Sequence, residues 1–217
     1  MTTMRYDNAV PTRVGRRGLL RRGALLGGAG VAAGLAVGAP ARAEDSRTEV
    51  YDVAMLGETH RLIPGPEVEN FDLRGSTYYV EGVLYPGNTI PVGTLFDPSA
   101  YGDRAIGRWV STGSFIWSLD RLQPHRFSIQ QHIFGLIVPD DLFPVDQISS
   151  QGTESSRTQD TLPSTRVITG GAGRYVGACG QITQYGFGLN TTTITILGRS
   201  QPAPNFRFHF TFVKHGL

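Results

Sequence analysis

The sequence beyond residue 44 predicts an all-β domain of eight or nine antiparallel strands. Apolar, aromatic and β-branched residues recur at a period of two, and no segment sustains a 3.6-residue apolar repeat. Turn signals rich in Pro, Gly, Asn and Asp punctuate these runs. No crossover helix separates consecutive runs, and parallel pairing would need one.

The first run is Thr48–Leu56. Asp52 shares one face with Val50, Ala54 and Leu56, and the other face carries Tyr51, Val53 and Met55. Both faces therefore read as buried, and parity alone does not say which way Asp52 points. Residues 57–75, with Pro64-Gly65-Pro66, read as a long connection. Ser76–Tyr85 follows and is closed by Pro86-Gly87-Asn88. Next come Arg108–Ser118 and Arg126–Val138, the latter stopped by Pro139-Asp140-Asp141. Val145–Gln151 precedes a polar stretch, Gly152–Ser164, that reads as an exposed loop. Thr165–Thr169 leads into Gly170-Gly171. The remaining runs are Tyr175–Tyr185, Thr192–Leu197 and, after Pro202-Ala203-Pro204, Asn205–Val213. In this last run Phe206, Phe208, Phe210 and Phe212 share a face opposite Arg207, His209 and Thr211. Such a stripe needs cover, either in a lumen or under a partner subunit. A sandwich and a closed barrel both fit the pattern, and closure would remove the sheet edges.

Residues 1–43 are expected to be a twin-arginine signal peptide and residues 44–217 the single working domain. Arg16-Arg17 is followed by Gly18, the apolar pair Leu19-Leu20 and Arg21, and Arg21-Arg22 is a second candidate pair. A bland Gly/Ala-rich stretch runs from Gly23 to Gly38, and Ala41-Arg42-Ala43 supplies a small-x-small cleavage site. The stretch is short and glycine-rich for a membrane span, which needs about 20 strongly apolar residues. The expected location is outside the cytoplasm, secreted or in the periplasm or cell envelope, with the twin-arginine machinery as export partner.

Cleavage would change the charge. Residues 1–43 hold seven arginines and one acid; removing them from 20 basic and 18 acidic residues leaves 13 and 17, a net −4. The pI near 8.8 belongs to the leader, and nothing basic remains to favour nucleic acid. Cys179 is the only cysteine, so no internal disulfide is available, and it reads as a small apolar packing group. His60, His125, His132, His209 and His215 show no metal-ligand spacing, no Gly-x-Ser-x-Gly elbow occurs, and no cofactor motif is found. The expectation is no metal and no cofactor.

The most distinctive string is Val167-Ile168-Thr169-Gly170-Gly171-Ala172-Gly173-Arg174-Tyr175-Val176-Gly177-Ala178-Cys179-Gly180-Gln181-Ile182. Its glycines suit a tight twisted turn and bends at a sheet corner. A phosphate loop fits poorly, because the glycine spacing is off by one and a strand, not a helix, follows. The string resembles the hairpin of the allene oxide cyclase and dirigent barrel superfamily. Gln147–Gly152, Val50-Tyr51-Asp52-Val53 and Ile90-Pro91-Val92-Gly93 are similar to other strands of that group, in the same order.

The resemblance implies an eight-stranded antiparallel barrel with an apolar lumen, commonly trimeric. It also implies chemistry by shaping a small apolar substrate in a dry pocket, through cyclisation, isomerisation or stereoselective coupling. Asp52 falls where the plant cyclases place a functional glutamate, which makes it the candidate catalytic residue; a lumenal carboxylate would have a raised pKa. Other cyclase positions differ: Ala54 replaces an asparagine, Gly93 or Thr94 a second, and Gly113 or Ser114 a cysteine. These departures argue against an allene oxide as substrate. Tyr79, Glu81, Tyr85, Thr112, Ser114 and His132 are the candidate ligand-binding residues. A lone strand histidine such as His132 is more often structural than catalytic. Three readings compete: an isomerase-like cyclase or coupling guide, a non-catalytic carrier of an apolar ligand, and a cell-envelope interaction protein whose barrel is filled by its own side chains.

Overall fold

A computed structural model describes residues 46–66, 73–116, 126–135, 146–154 and 163–213. The proposed leader and its boundary at residues 43 and 44 lie outside the described residues. Eight strands, β1 Arg47–Ile63, β2 Thr77–Pro86, β3 Gly107–Phe115, β4 Arg126–Phe134, β5 Asp146–Glu154, β6 Ser164–Ala172, β7 Gly180–Ile196 and β8 Arg199–Phe212, form the wall. Each pairs antiparallel with the next, and β8 closes on β1. The fold is thus the closed barrel, not the sandwich.

Of the expected eight or nine strands the count is eight, because two of the nine runs are one element. The Tyr175–Tyr185 and Thr192–Leu197 runs lie largely on β7, which bends through register shifts at Gly186/Gly188 and Leu189/Thr193. The Asn190 side chain stabilises the bend by donating to Met55 O at 3.0 Å and Asn205 Oδ1 at 3.0 Å. Tyr175 itself sits in a 3-10 turn, Gly173–Tyr175, before that strand. Two further boundaries move. β1 continues to Ile63 into the expected 57–75 connection, and β5 continues to Glu154 into the expected polar loop.

The lumen is built from alternate residues of every strand. From β2 it takes Tyr78, Val80 and Leu84, and from β8 Phe206, Phe208, Phe210 and Phe212, all buried. Burying each phenylalanine stabilises the wall by about 2 kcal/mol. Their rings follow one another at 5.9–6.5 Å, within favourable aromatic range. The stripe therefore faces inward and needs no partner subunit to cover it.

β4 inverts the usual pattern. Ser128, Gln130 and His132 point inward and are fully buried, while Phe127 and Ile129 are exposed on the outer face.

The double burial of β1 has a second cause. Outside the wall, the β2–β3 connection folds back as a strap. Its Ile90 and Phe96 pack on Ala54 and Tyr85 as a small separate core. Phe96 N donates to Leu189 O at 3.0 Å, and Thr191 N donates to Phe96 O at 2.8 Å, tying the strap to β7.

Gly180 shows how tightly the corner closes. It has φ +135°, and a Cβ there would lie 2.1 Å from Thr211 O. Only glycine lets β7 begin alongside β8.

Candidate functional site

Asp52 does not face the lumen. It is fully buried on the outer face of β1, beneath the strap. Its cross-strand neighbour Arg207 donates Nε to Oδ1 at 2.7 Å and Nη2 to Oδ2 at 3.0 Å. Ile90 N adds a third hydrogen bond at 3.0 Å. This bidentate pair anchors the strap to the wall. The lumenal acid expected at this position is therefore not there: the carboxylate lies outside the lumen and is held by a cation.

Five of the six expected ligand-binding residues also face away from the lumen. Tyr79 and Glu81 lie on the outer face of β2, where Tyr79 Oη donates to Glu81 Oε1 at 2.5 Å and Arg108 pairs with Glu81 at 3.5 Å. Thr112 and Ser114 are their outer neighbours on β3. Tyr85 is buried in the strap core and donates to Pro98 O at 3.3 Å. Their common parity places them together, on the wrong side of the wall for a lumenal ligand. Only His132 lies inside.

The lumen holds a polar cluster instead. Its centre is Glu154, which ends β5 with its carboxylate buried. Tyr78 Oη donates to Oε1 at 2.9 Å and Ser128 Oγ at 2.7 Å, while Gln184 Nε2 donates to Oε2 at 3.1 Å. Two cations flank it, with Arg126 Nε 3.2 Å from Oε1 and Arg166 Nη1 3.6 Å from Oε2. Arg166 Nη2 also donates to Ser128 O at 2.9 Å and Ser128 Oγ at 2.5 Å. Gln184 Oε1 accepts from Gln130 Nε2 at 3.1 Å and Arg166 Nη1 at 3.3 Å. Burial opposes the charge on Glu154, but the two arginines and the hydroxyl donors outweigh it and hold the carboxyl at about 2. Burial pushes the Tyr78 phenol up to about 12.

Beside this network six buried polar atoms have no hydrogen-bond partner among the described residues. They are Gln130 Oε1, Ser150 Oγ, both ring nitrogens of His132, Trp109 Nε1 and Arg166 Nε. Most lie on adjoining lattice positions: Trp109 is directly opposite His132, and Gln130 is opposite Ser150. Such pairs have Cβ atoms about 5 Å apart. His132 meets Phe208 and Phe210 edge-on at 4.8 and 4.9 Å. Burial first, and then the Arg166 charge, push its imidazole down to about 3, so it is neutral. The neutral ring offers one donor and one acceptor. Trp109 packs on Phe206 and Phe208 at 5.7 and 6.2 Å. The interior therefore sets unpaired donors and acceptors directly against an aromatic wall.

At the opposite end of the lumen a second, smaller group sits near Phe134. Tyr51 Oη donates to Glu49 Oε2 at 2.5 Å, and Tyr175 Oη donates to the same oxygen at 3.0 Å. Arg174 lies 4.8 Å from the centre of the Tyr175 ring and 5.1 Å from that of Phe134. These contacts pack the end of the barrel. Cys179 donates to Val213 O at 3.4 Å and is half-buried at the same corner.

Glu154 was out of reach of the sequence reading because its surroundings are polar. Arg166 was within reach: it alternates with the inward Ile168 in a short β-branched run, and an arginine on a core face requires a buried partner.

Three solved structures are similar to this chain. Pyocyanin demethylase is 14% identical, with a TM-score of 0.42 over 75% of this chain and 98% of that one. A pterocarpan synthase dirigent protein is 11% identical, with a TM-score of 0.47 over 79% and 90%. A second pterocarpan synthase dirigent protein is 14% identical, with a TM-score of 0.49 over 80% and 99%. No family model matches the chain, and no curated protein does.

Proposed function

We propose that the barrel binds a small, largely apolar molecule bearing hydrogen-bonding groups in its lumen, and steers its cyclisation, isomerisation or coupling by fixing its conformation. One observation carries this reading: six unpartnered polar atoms lie beside a continuous aromatic wall. Each buried group left unpaired costs about 1–3 kcal/mol. A ligand that pairs with Trp109, Gln130, His132 and Ser150 would recover that cost while its apolar part lies on Phe206, Phe208 and Phe210. An eight-stranded barrel has room for about one small ligand.

A carrier without chemistry is the second reading, and the titration of the site favours it over acid–base catalysis. Glu154 at about 2 and His132 at about 3 are both far from neutral pH, so neither is poised to exchange a proton there. Any rate enhancement in this lumen therefore comes from orientation and exclusion of water rather than proton transfer.

The same proposal includes export of the domain by the twin-arginine machinery and assembly as a homotrimer. The trimer draws support from the outer face, where Tyr79, Ile129 and Val167 are exposed on one cross-strand row.

Native mass spectrometry of the protein purified from its own exported fraction tests all of this. Expected are a trimer and a bound small molecule released on denaturation. A ligand-free protein that binds no hydrophobic probe, and whose lumenal polar atoms are bridged by internal water in a crystal structure, would leave the barrel a self-filled scaffold.

A further inference from the structure

The lumen carries an unbalanced positive charge, and this narrows the chemical class of the ligand. Among the described residues the polar cluster has one anion, Glu154, and two cations, Arg126 and Arg166. His132 and Tyr78 are neutral. Glu154 is saturated: five groups converge on its two oxygens, and a carboxylate has about four lone-pair sites. It has no capacity left to offset a second guanidinium. Arg126 retains some exposure, but Arg166 is fully buried. The Arg166 terminal nitrogens are taken by Ser128, Gln184 and Glu154, while its Nε–H has no acceptor among the described residues. A buried cation short of one anion is the state that protein interiors avoid.

We infer that the natural ligand carries an anionic oxygen, a carboxylate or an ionised phenol or enol, that pairs with Arg166 while its apolar body lies along the phenylalanine stripe. This inference rests on the lumenal binding reading and sharpens it. The oxyanion would fix the end of the molecule by the Glu154 cluster, and Trp109 and His132 would meet polar groups further along. One end of the ligand would be pinned and the rest confined against the aromatic wall, which is what steering a ring closure or coupling requires.

A matched pair of probes tests it: 2-naphthoate and 2-naphthylmethanol, titrated calorimetrically into the full domain at pH 7. The two share a ring system and differ at one oxygen-bearing carbon. Naphthoate is expected to bind at least about tenfold more tightly, the worth of one charge-assisted hydrogen bond. Arg166→Gln should erase that preference by weakening naphthoate alone. Because Arg166 also neutralises Glu154, this variant risks misfolding, so a second measurement uses the wild-type chain. Its Arg166 Nε–H signal in ¹H–¹⁵N spectra should shift on adding naphthoate and stay still on adding the alcohol. Equal affinity for the two probes, or a naphthoate complex that leaves the Arg166 signal unmoved, overturns the anion inference while the binding reading stands. Failure of both probes to bind at millimolar concentration overturns both.

Discussion

Acid should begin to destabilise this barrel through a histidine, before its carboxylates titrate. His132 is fully buried, lacks a hydrogen-bond partner among the described residues and has its folded pKa pushed down to about 3 by burial and by Arg166. In the unfolded chain it titrates near its ordinary value of 6.5. As pH falls below that value, the unfolded state takes up a proton that the folded state refuses. Stability is therefore lost from about pH 6.5 down to about pH 3. Each pH unit in that window costs about 1.4 kcal/mol, so the loss is about 2 kcal/mol at pH 5 and approaches about 5 kcal/mol at pH 3. The latter is comparable to the whole stability of many domains, about 5–15 kcal/mol. At about 2 kcal/mol per molar urea, the pH 5 loss lowers the urea midpoint by about 1 M. The assay is urea unfolding by circular dichroism at pH 7, 6 and 5, comparing wild type with His132→Leu. The leucine is apolar, similar in size and cannot titrate. His60, lowered to about 4 by burial and then by Arg126 and Arg61, lies in the same window and contributes to both chains, so the difference between them isolates His132. The variant should keep about 1 M more of its midpoint on going from pH 7 to 5. Midpoints that move in parallel would refute the reasoning.

Three other perturbations probe the remaining claims. Asp52→Asn removes the charge that Arg207 grips in the outer core; thermal unfolding should show a loss of about 2–4 kcal/mol. Naphthoate affinity should stay within twofold, and a large loss would return Asp52 to the ligand site. Glu154→Gln leaves Arg126 and Arg166 without their anion and should destabilise the barrel by about 3–5 kcal/mol in urea. It should also abolish the stability loss between pH 5 and 2 that the lowered Glu154 pKa predicts. An unchanged acid profile below pH 5 would mean that Glu154 is not ion-paired. Gly180→Ala would place a methyl 2.1 Å from Thr211 O at φ +135°; loss of soluble protein is expected, and a well-folded variant at normal yield would show that the β7–β8 corner is not so tightly closed.

The fold was largely legible in the sequence because its signals are local. Alternation and turn chemistry located all eight strands, and the Thr169–Ile182 hairpin announced its corner through Gly170, Gly173 and Gly180, each at positive φ. Three boundaries were missed where a strand runs on through residues of poor strand propensity. β1 continues past Gly57 with a register shift before Arg61, and β5 continues through Gly152 and Thr153 to Glu154. β7 absorbs the stretch from Gly186 to Asn190 with the help of Asn190 hydrogen bonds. In each case pairing with a neighbouring strand overrode the local preference, and the sequence does not display that pairing.

The site was much less legible, and the reason is the sidedness of the wall. Parity sorts a strand into two faces but does not say which face is the lumen. Ordinarily hydrophobicity decides. In β1 it could not, because the strap buries the outer face as fully as the lumen buries the inner one, so the pattern leaves the side of Asp52 open and the lumenal role rested on the resemblance alone. In β4 hydrophobicity would have decided wrongly, since Phe127 and Ile129 are outside while Ser128, Gln130 and His132 are inside. That inversion is itself the strongest mark of a function. A strand that turns serine, glutamine and histidine into a closed interior, and leaves Phe127 and Ile129 on the exposed face, forgoes burial worth about 2 kcal/mol for each large side chain. Those inward positions are the ones that contact Glu154, Gln184 and the aromatic wall. The lumen is thus polar where an apolar filling would have made the more stable barrel, a departure from local consistency that the proposed lumenal binding would account for.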